Sequence, residues 1–450
     1  MSFSFWFYKT KKMTSIKNNE PRFIALLPLF VFVFTFLGVG IYQNDFYALP
    51  APIAVIAGII VAFLIFKQDI NSKIETLLAG CGDSKILTMC LIYLLAGAFA
   101  TITKETGSVD AIVNLGLDFI AIQYIYFGVF IIAAFLSIST GTSVGAIVAL
   151  TPIVIGFADK GGVSLAILCG ALLGGSMFGD NLSVISDTTI AATQSLGVKM
   201  SDKFKQNTKI ALPAALFTIV ILIVKGAALE SNNLEDVTYN YSLLKIVPYI
   251  LVIALSVIGV NVFVTLLLGV LIAVAIGIFY GDFTVIESTK IAYNGFTSMT
   301  EIFLLSLLSG GLAALVAKNG GIDYILNKIK TLIKSKKSAQ FGIATLVSTV
   351  NMAIANNTVS IIISGSIAKT INDEYKLENK KTASILDIFA CITQGLLPYG
   401  AQVLMILSFS DGNLTYTELI GNTWYLLLLF IYTIIYISLN PFKMKKTSIN

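Results

Sequence analysis

Apolar runs of about twenty residues alternate with short polar stretches along most of this chain. They fall at about 23–43, 47–66, 86–103, 162–178, 209–229, 242–259, 261–280, 301–318, 383–407 and 421–440. Roughly 20 apolar residues in a helix cross the hydrocarbon core of a bilayer. The residue-by-residue alternation of a membrane barrel is absent. Two more apolar segments, 123–158 and 339–368, are interrupted in the middle by Ser137-Ile-Ser-Thr-Gly-Thr-Ser143 and by Asn356-Asn357-Thr358. Irregular polar backbone at that depth requires surrounding protein or a water-filled cavity. These segments read as re-entrant hairpins, with two full spans and a sharp kink as the alternative. The expected fold is an all-α polytopic membrane protein of about ten transmembrane helices plus two re-entrant hairpins.

Composition agrees: 56% of residues are hydrophobic, 12% are charged and the mean hydropathy is +0.86, too apolar for a soluble fold. The first apolar run has no small-residue cleavage site after it and reads as a retained span. The net charge of +5 is no nucleic-acid signal, because the lysines cluster in a topological pattern. Lys9, Lys11, Lys12, Lys17 and Arg22 precede the first run, and Lys443, Lys445 and Lys446 follow the last. Both termini are therefore expected in the cytoplasm, in a multi-pass plasma-membrane protein. Lys203, Lys205 and Lys209 are expected to mark another inner loop, as are the lysines of 328–337. Glu230, Glu235 and Asp236, with no lysine nearby, read as external. Residues 68–82 look amphipathic and suit an inner-interface helix. The chain has no histidine and its four cysteines are scattered, so zinc and haem ligation are not expected.

The two halves of the chain echo each other. Gly107, Asp110, Ile112 and Asn114 recur as Gly320, Asp323, Ile325 and Asn327; Thr142-Ser-Val144 matches Asn357-Thr-Val359. Gly174, Phe178-Gly179 and Asn181 match Gly395, Tyr399-Gly400 and Gln402. Equivalent loops differ in lysine content and so belong on opposite sides, the mark of an inverted-topology repeat with substrate held between the halves. Tails at 1–22 and 442–450 are expected to flank first spans at 23–84, repeat 1 at 85–229, connecting spans at 230–300 and repeat 2 at 301–441. Each repeat is expected to hold a hairpin and a broken helix.

The candidate chemistry lies in Gly174 to Thr189, where an apolar run ends in a cluster of acids, hydroxyls and an amide. An ionised carboxylate in hydrocarbon costs roughly 3 kcal/mol or more, so it persists only facing protein or water. Asp180, Asn181, Ser183, Ser186, Asp187 and Thr188 offer the hard oxygens that Na⁺ requires, with Asp180 and Asn181 as expected ion ligands. Gly174, Gly175 and Gly179 are expected to break this helix, as Gly395, Pro398 and Gly400 break its counterpart, which carries Asp387, Thr393, Gln394 and Gln402. Thr140, Thr142 and Ser143 on one tip and Asn356, Asn357 and Thr358 on the other are expected to meet across the site.

Phe178-Gly-Asp-Asn-Leu-Ser-Val-Ile-Ser-Asp-Thr-Thr189 resembles the Gly-Asp-Lys-x-Ser-Pro-x-Ser-Asp-Thr-Thr signature of NhaC-type Na⁺/H⁺ antiporters. The resemblance extends over about 85–410 and implies the ion-transporter superfamily, with paired hairpins, broken helices and an elevator-like movement. Asn181 and Val184 depart from the usual Lys and Pro, and Gly395-Leu-Leu-Pro-Tyr-Gly400 departs from the family's second segment. The function expected is sodium/proton antiport by alternating access, without enzymatic activity and without a cofactor beyond Na⁺ as coupling ion. The alternative is Na⁺-coupled transport or exchange of a small amino acid or carboxylate. The single arginine, Arg22, lies outside the core and offers no fork for a dicarboxylate. Expected partners are Na⁺, H⁺ and the lipid bilayer, with a homodimer left open and nucleic acid excluded. An intramembrane aspartyl protease is disfavoured because Met177 stands where its Gly-x-Gly-Asp motif needs glycine.

Overall fold

A computed structural model describes residues 21–43, 49–229 and 240–439. The terminal lysines of 1–20 and 442–450, and Glu230, Glu235 and Asp236, lie outside the described residues. Those described are helical throughout, with no strand among them. Every predicted apolar run is helical where described, with 383–407 divided between two helices. Among the described residues nine helical segments are long and apolar enough to cross a membrane, and Ala51–Ile65, Leu243–Val257 and Trp424–Leu439 are shorter apolar helices. The nine include both arms of the first interrupted segment, Ile122–Thr140 and Ser143–Gly161. Its polar cluster therefore spans the end of one helix, a turn at Gly141 and Thr142, and the start of the next, each helix as long as a span. Ile70–Cys81 forms the helix expected at 68–82, and its Lys73 is buried and donates to the Phe63 carbonyl at 2.8 Å.

The two interrupted segments turn in the same way. The first pair, Ile125–Thr140 and Ser143–Gly161, meets at Gly141 in the left-handed region (φ 70°), followed by extended Thr142. The second pair, Lys336–Ile354 and Asn357–Glu374, meets at Ala355, also left-handed (φ 53°), followed by extended Asn356. A left-handed alanine costs about 1–2 kcal/mol, so the second tip holds some strain. Asn356 offsets part of it by capping its helix, accepting from the Val359 amide at 3.0 Å.

Each pair leads into a broken helix. The first runs Leu165–Leu182, becomes extended at Ser183 and Ser186, and resumes as Asp187–Leu196. The second runs Asn379–Leu396, breaks at Leu397 to Gly400, and resumes as Ala401–Phe409. Pro398 supplies no amide hydrogen and forces Leu397 to be extended, which accounts for the second break. The first break corrects the sequence reading: the helix runs straight through Gly174, Gly175 and Gly179. Those glycines serve packing. A Cβ on Gly175 would strike the Phe130 carbonyl, and one on Gly179 the Ala134 carbonyl and Ser137. Their absence lets helix Ile125–Thr140 approach backbone to backbone, and Ser137 Oγ donates across the contact to the Ser176 carbonyl at 2.6 Å. Gly179→Val should force these helices apart and cost about 1–3 kcal/mol. A thermal melt in detergent should shift down by several degrees; an unchanged melt would show that the contact is slack.

Side chains replace the hydrogen bonds lost at the first break. Ser183 Oγ donates to the Ile138 carbonyl at 2.9 Å and accepts from the Ile185 amide, while Thr189 Oγ1 donates to the Ser183 carbonyl at 2.8 Å. Such repair is what permits irregular backbone inside a membrane domain.

Candidate ion-binding site

Both tips, the first break and Gln402, just after the second break, border one cavity of about 370 Å³. Asp180, 4% exposed, lines it from the last turn before the first break. Its two oxygens accept from Ser143 Oγ at 2.8 Å and from Ser186 Oγ at 2.5 Å. Ser186 in turn shares a 2.8 Å contact with the Thr188 hydroxyl. Ser143 also accepts from Gln402 Nε2 at 3.1 Å. Gln394 Nε2 then bridges Gln402 Oε1 at 3.1 Å and the Ala355 carbonyl at 3.2 Å. One hydrogen-bonded chain thus runs from the carboxylate through the first tip and the second break to the second tip.

The helices starting at Ser143, Asp187 and Asn357 open onto the cavity, and their ends carry partial positive charge. Thr140, Thr142, Asn356, Asn357 and Thr358 line it, as expected of the tips, and Lys85 lines it too. Thr140 turns its hydroxyl to the Thr142 carbonyl at 3.2 Å, and Asn357 Oδ1 accepts from the Thr358 amide at 2.9 Å.

Other expected residues lie elsewhere. Asp187 lines the cavity but is exposed, and because the chain is extended between them it does not share a helical face with Asp180. Ser183 is occupied in bracing the break. Thr393 donates to Phe389 O at 2.7 Å and to Ser348 Oγ at 2.9 Å, away from the cavity. Asp387 is fully buried and does not reach the cavity; its partner is Lys203 Nζ at 2.7 Å.

Lys203 is the functional candidate that sequence reasoning misplaced. It lies within helix Met200–Ala227, not in an inner loop, and is 1% exposed. Its ammonium also donates to Thr189 Oγ1 at 2.6 Å and to the Asn181 carbonyl at 3.2 Å. Asn207, one turn on, donates to Asp387 Oδ2 at 2.7 Å and to the same carbonyl at 2.8 Å, and its own oxygen accepts from Ser384. The four-residue spacing of Lys203 and Asn207 puts both on one helix face, the signal that was available. Asn181 itself donates to the Tyr425 hydroxyl at 3.2 Å. Asn181, whose carbonyl Lys203 and Asn207 both contact, is the residue after Asp180. When Asp180, Asp387 and Lys203 are all ionised, their charges sum to one net negative charge.

Among the described residues no three of His, Cys, Asp and Glu converge to hold a metal ion. The donors around Asp180 are a carboxylate, hydroxyls and amide oxygens, the hard oxygen ligands that suit a hard cation.

Helices broken around a buried carboxylate, with irregular backbone facing an internal cavity, define the architecture of an ion-coupled secondary transporter. The Na⁺/H⁺ antiporter family model matches residues 7–227 and 228–440, and the chain belongs to that family. An uncharacterized Na⁺/H⁺ antiporter of Haemophilus influenzae is 25% identical, over 88% of this chain and 90% of that protein. The malate-2H⁺/Na⁺-lactate antiporter of Bacillus subtilis is 23% identical, over 87% and 92%. The Na⁺/H⁺ antiporter NhaC of Alkalihalophilus pseudofirmus is 21% identical, over 69% and 73%.

Proposed function

We propose that this chain exchanges Na⁺ for H⁺ across the cell membrane by alternating access, the two ions competing for Asp180. The observation that carries this is the setting of Asp180: buried, with each oxygen held by a hydroxyl, where the first tip meets a helix break. A hydroxyl rotates freely between donating and accepting. Ser143 and Ser186 donate to the bare carboxylate, and on ion entry each can turn a lone pair toward Na⁺. A proton on Asp180 supplies the same neutralisation without the ion. Because Asp180, Asp387 and Lys203 sum to one negative charge when all are ionised, one cation or one proton leaves the core neutral, and neutrality is what low dielectric favours.

In this reading 85–229 and 301–441 are inverted repeats, and both termini face the cytoplasm of the plasma membrane. A second reading, Na⁺-coupled exchange of a small carboxylate or amino acid, draws on the size of the cavity and on Lys85 in its wall. A lone ion needs far less than 300 Å³, the lower end of small-molecule pockets. The malate/lactate relative supports the same alternative. Proteoliposomes separate the two. With a Na⁺ gradient and no organic solute, antiport predicts Na⁺-driven proton movement. Absence of proton movement together with Na⁺-dependent uptake of a carboxylate would overturn it.

A further inference from the structure

We infer that the Lys203 ammonium occupies a second cation site, so that the chain carries its own counter-ion there and leaves one exchangeable charge at Asp180. The inference rests on the Asp180 reading above and extends it to the number of ions carried.

Lys203 Nζ lies among three oxygens of different kinds: the Asp387 carboxylate at 2.7 Å, the Thr189 hydroxyl at 2.6 Å and the Asn181 main-chain carbonyl at 3.2 Å. That carbonyl belongs to the last turn of the helix ending at Leu182, where the main-chain dipole favours cations. Carboxylate, hydroxyl and a carbonyl freed at a helix break are the ligands by which broken helices hold ions. Two more acceptors on these residues, Asp387 Oδ1 and Asn181 Oδ1, are buried and have no partner among the described residues. A lysine has three hydrogens and satisfies three of the five oxygens. A bare Na⁺, which uses five or six, would engage the remainder.

The location argues against a plain structural pair. The ammonium ties the end of the first broken helix, through Asn181, to the second, through Asp387. Its contact with the Asn181 carbonyl also lies one residue from Asp180. Thr189 belongs to the helix that resumes after the break. A cation bound there by a tether cannot dissociate, so it fixes the charge of the core as the protein moves. Removing the tether should leave two negative charges and room for two ions.

The test is equilibrium binding of radioactive Na⁺ to the purified full-length protein, with Na⁺ flux in proteoliposomes alongside. Wild type should bind one ion per chain with a Hill coefficient of about 1, and Lys203→Ala should bind two with a coefficient approaching about 2. Millimolar propylammonium, which replaces the missing side chain, should displace one of those two ions and return the coefficient to about 1. A Lys203→Ala protein that binds a single ion and ignores propylammonium would overturn the inference. So would one that loses its fold and is recovered by neither Na⁺ nor propylammonium, since Lys203 would then be only a clamp. A wild type that binds no Na⁺ while Lys203→Ala gains one ion would sink the Asp180 reading and leave this site standing.

Discussion

Asp180→Asn should abolish Na⁺-driven proton movement while leaving the protein folded and in the membrane. The substitution keeps the shape, and an amide oxygen still accepts from Ser143 or Ser186, whose rotating hydroxyls can accept in turn from the new NH₂ group. What is lost is the charge. Removing the one ionised ligand of a cation at low dielectric forfeits at least about 3 kcal/mol, or roughly a hundredfold in ion binding. An asparagine also cannot carry a proton, so both halves of the exchange fail together. Near-normal coupled transport by this variant, at equal abundance in the bilayer, would show that the coupling carboxylate lies elsewhere.

Asp387→Leu should act on the fold before it acts on transport. Lys203 is 1% exposed, and without Asp387 its ammonium keeps only a hydroxyl and a carbonyl as partners. Breaking a buried pair from one side costs about 3–5 kcal/mol, because the surviving charge is stranded. The melting temperature in detergent should fall sharply. The double variant Lys203→Met with Asp387→Leu should recover much of that loss, since an apolar pair of similar volume is often tolerated in place of buried charges. A single variant melting with wild type would mean that water reaches Lys203 and that the pair contributes little.

Much of this site was legible in the chain because membrane depth makes polar residues conspicuous. Asp180, Ser186 and Thr188, and the tips at Thr140–Ser143 and Asn356–Thr358, stand out against apolar flanks, and they border one cavity. Glycine was ambiguous. It serves equally to break a helix or to admit a neighbouring backbone, and Gly175 and Gly179 do the second. The break falls instead where serine hydroxyls at 183 and 186 satisfy the freed backbone or the carboxylate. Pro398 was unambiguous, since proline has a single effect on a helix interior. Lys203 was misread because lysines near span ends usually report topology, and nothing in a lone chain separates a lysine that snorkels from one that is buried. The spacing to Asn207 was a weak signal, and the approach of Asp387, 184 positions away in the sequence numbering, identifies it. Length and apolarity alone do not separate a full span from a re-entrant arm, since Ala51–Ile65 is shorter than Ser143–Gly161.

The claim that Na⁺ and H⁺ compete for one carboxylate is tested most directly by the pH dependence of apparent Na⁺ affinity. The sign follows from the chemistry: a proton occupies the same oxygens as the ion, so lowering pH must weaken Na⁺ binding. Below the site's own pKa the weakening should approach tenfold per pH unit, and above it the affinity should level off. The measurement is the Na⁺ concentration giving half-maximal flux in proteoliposomes, taken from about pH 6 to about pH 9 with the membrane potential clamped. A steady loss of affinity toward acid pH is the result expected of antiport through Asp180. An affinity that stays flat across that range would contradict it, and would leave Na⁺-coupled solute transport without a proton in the cycle.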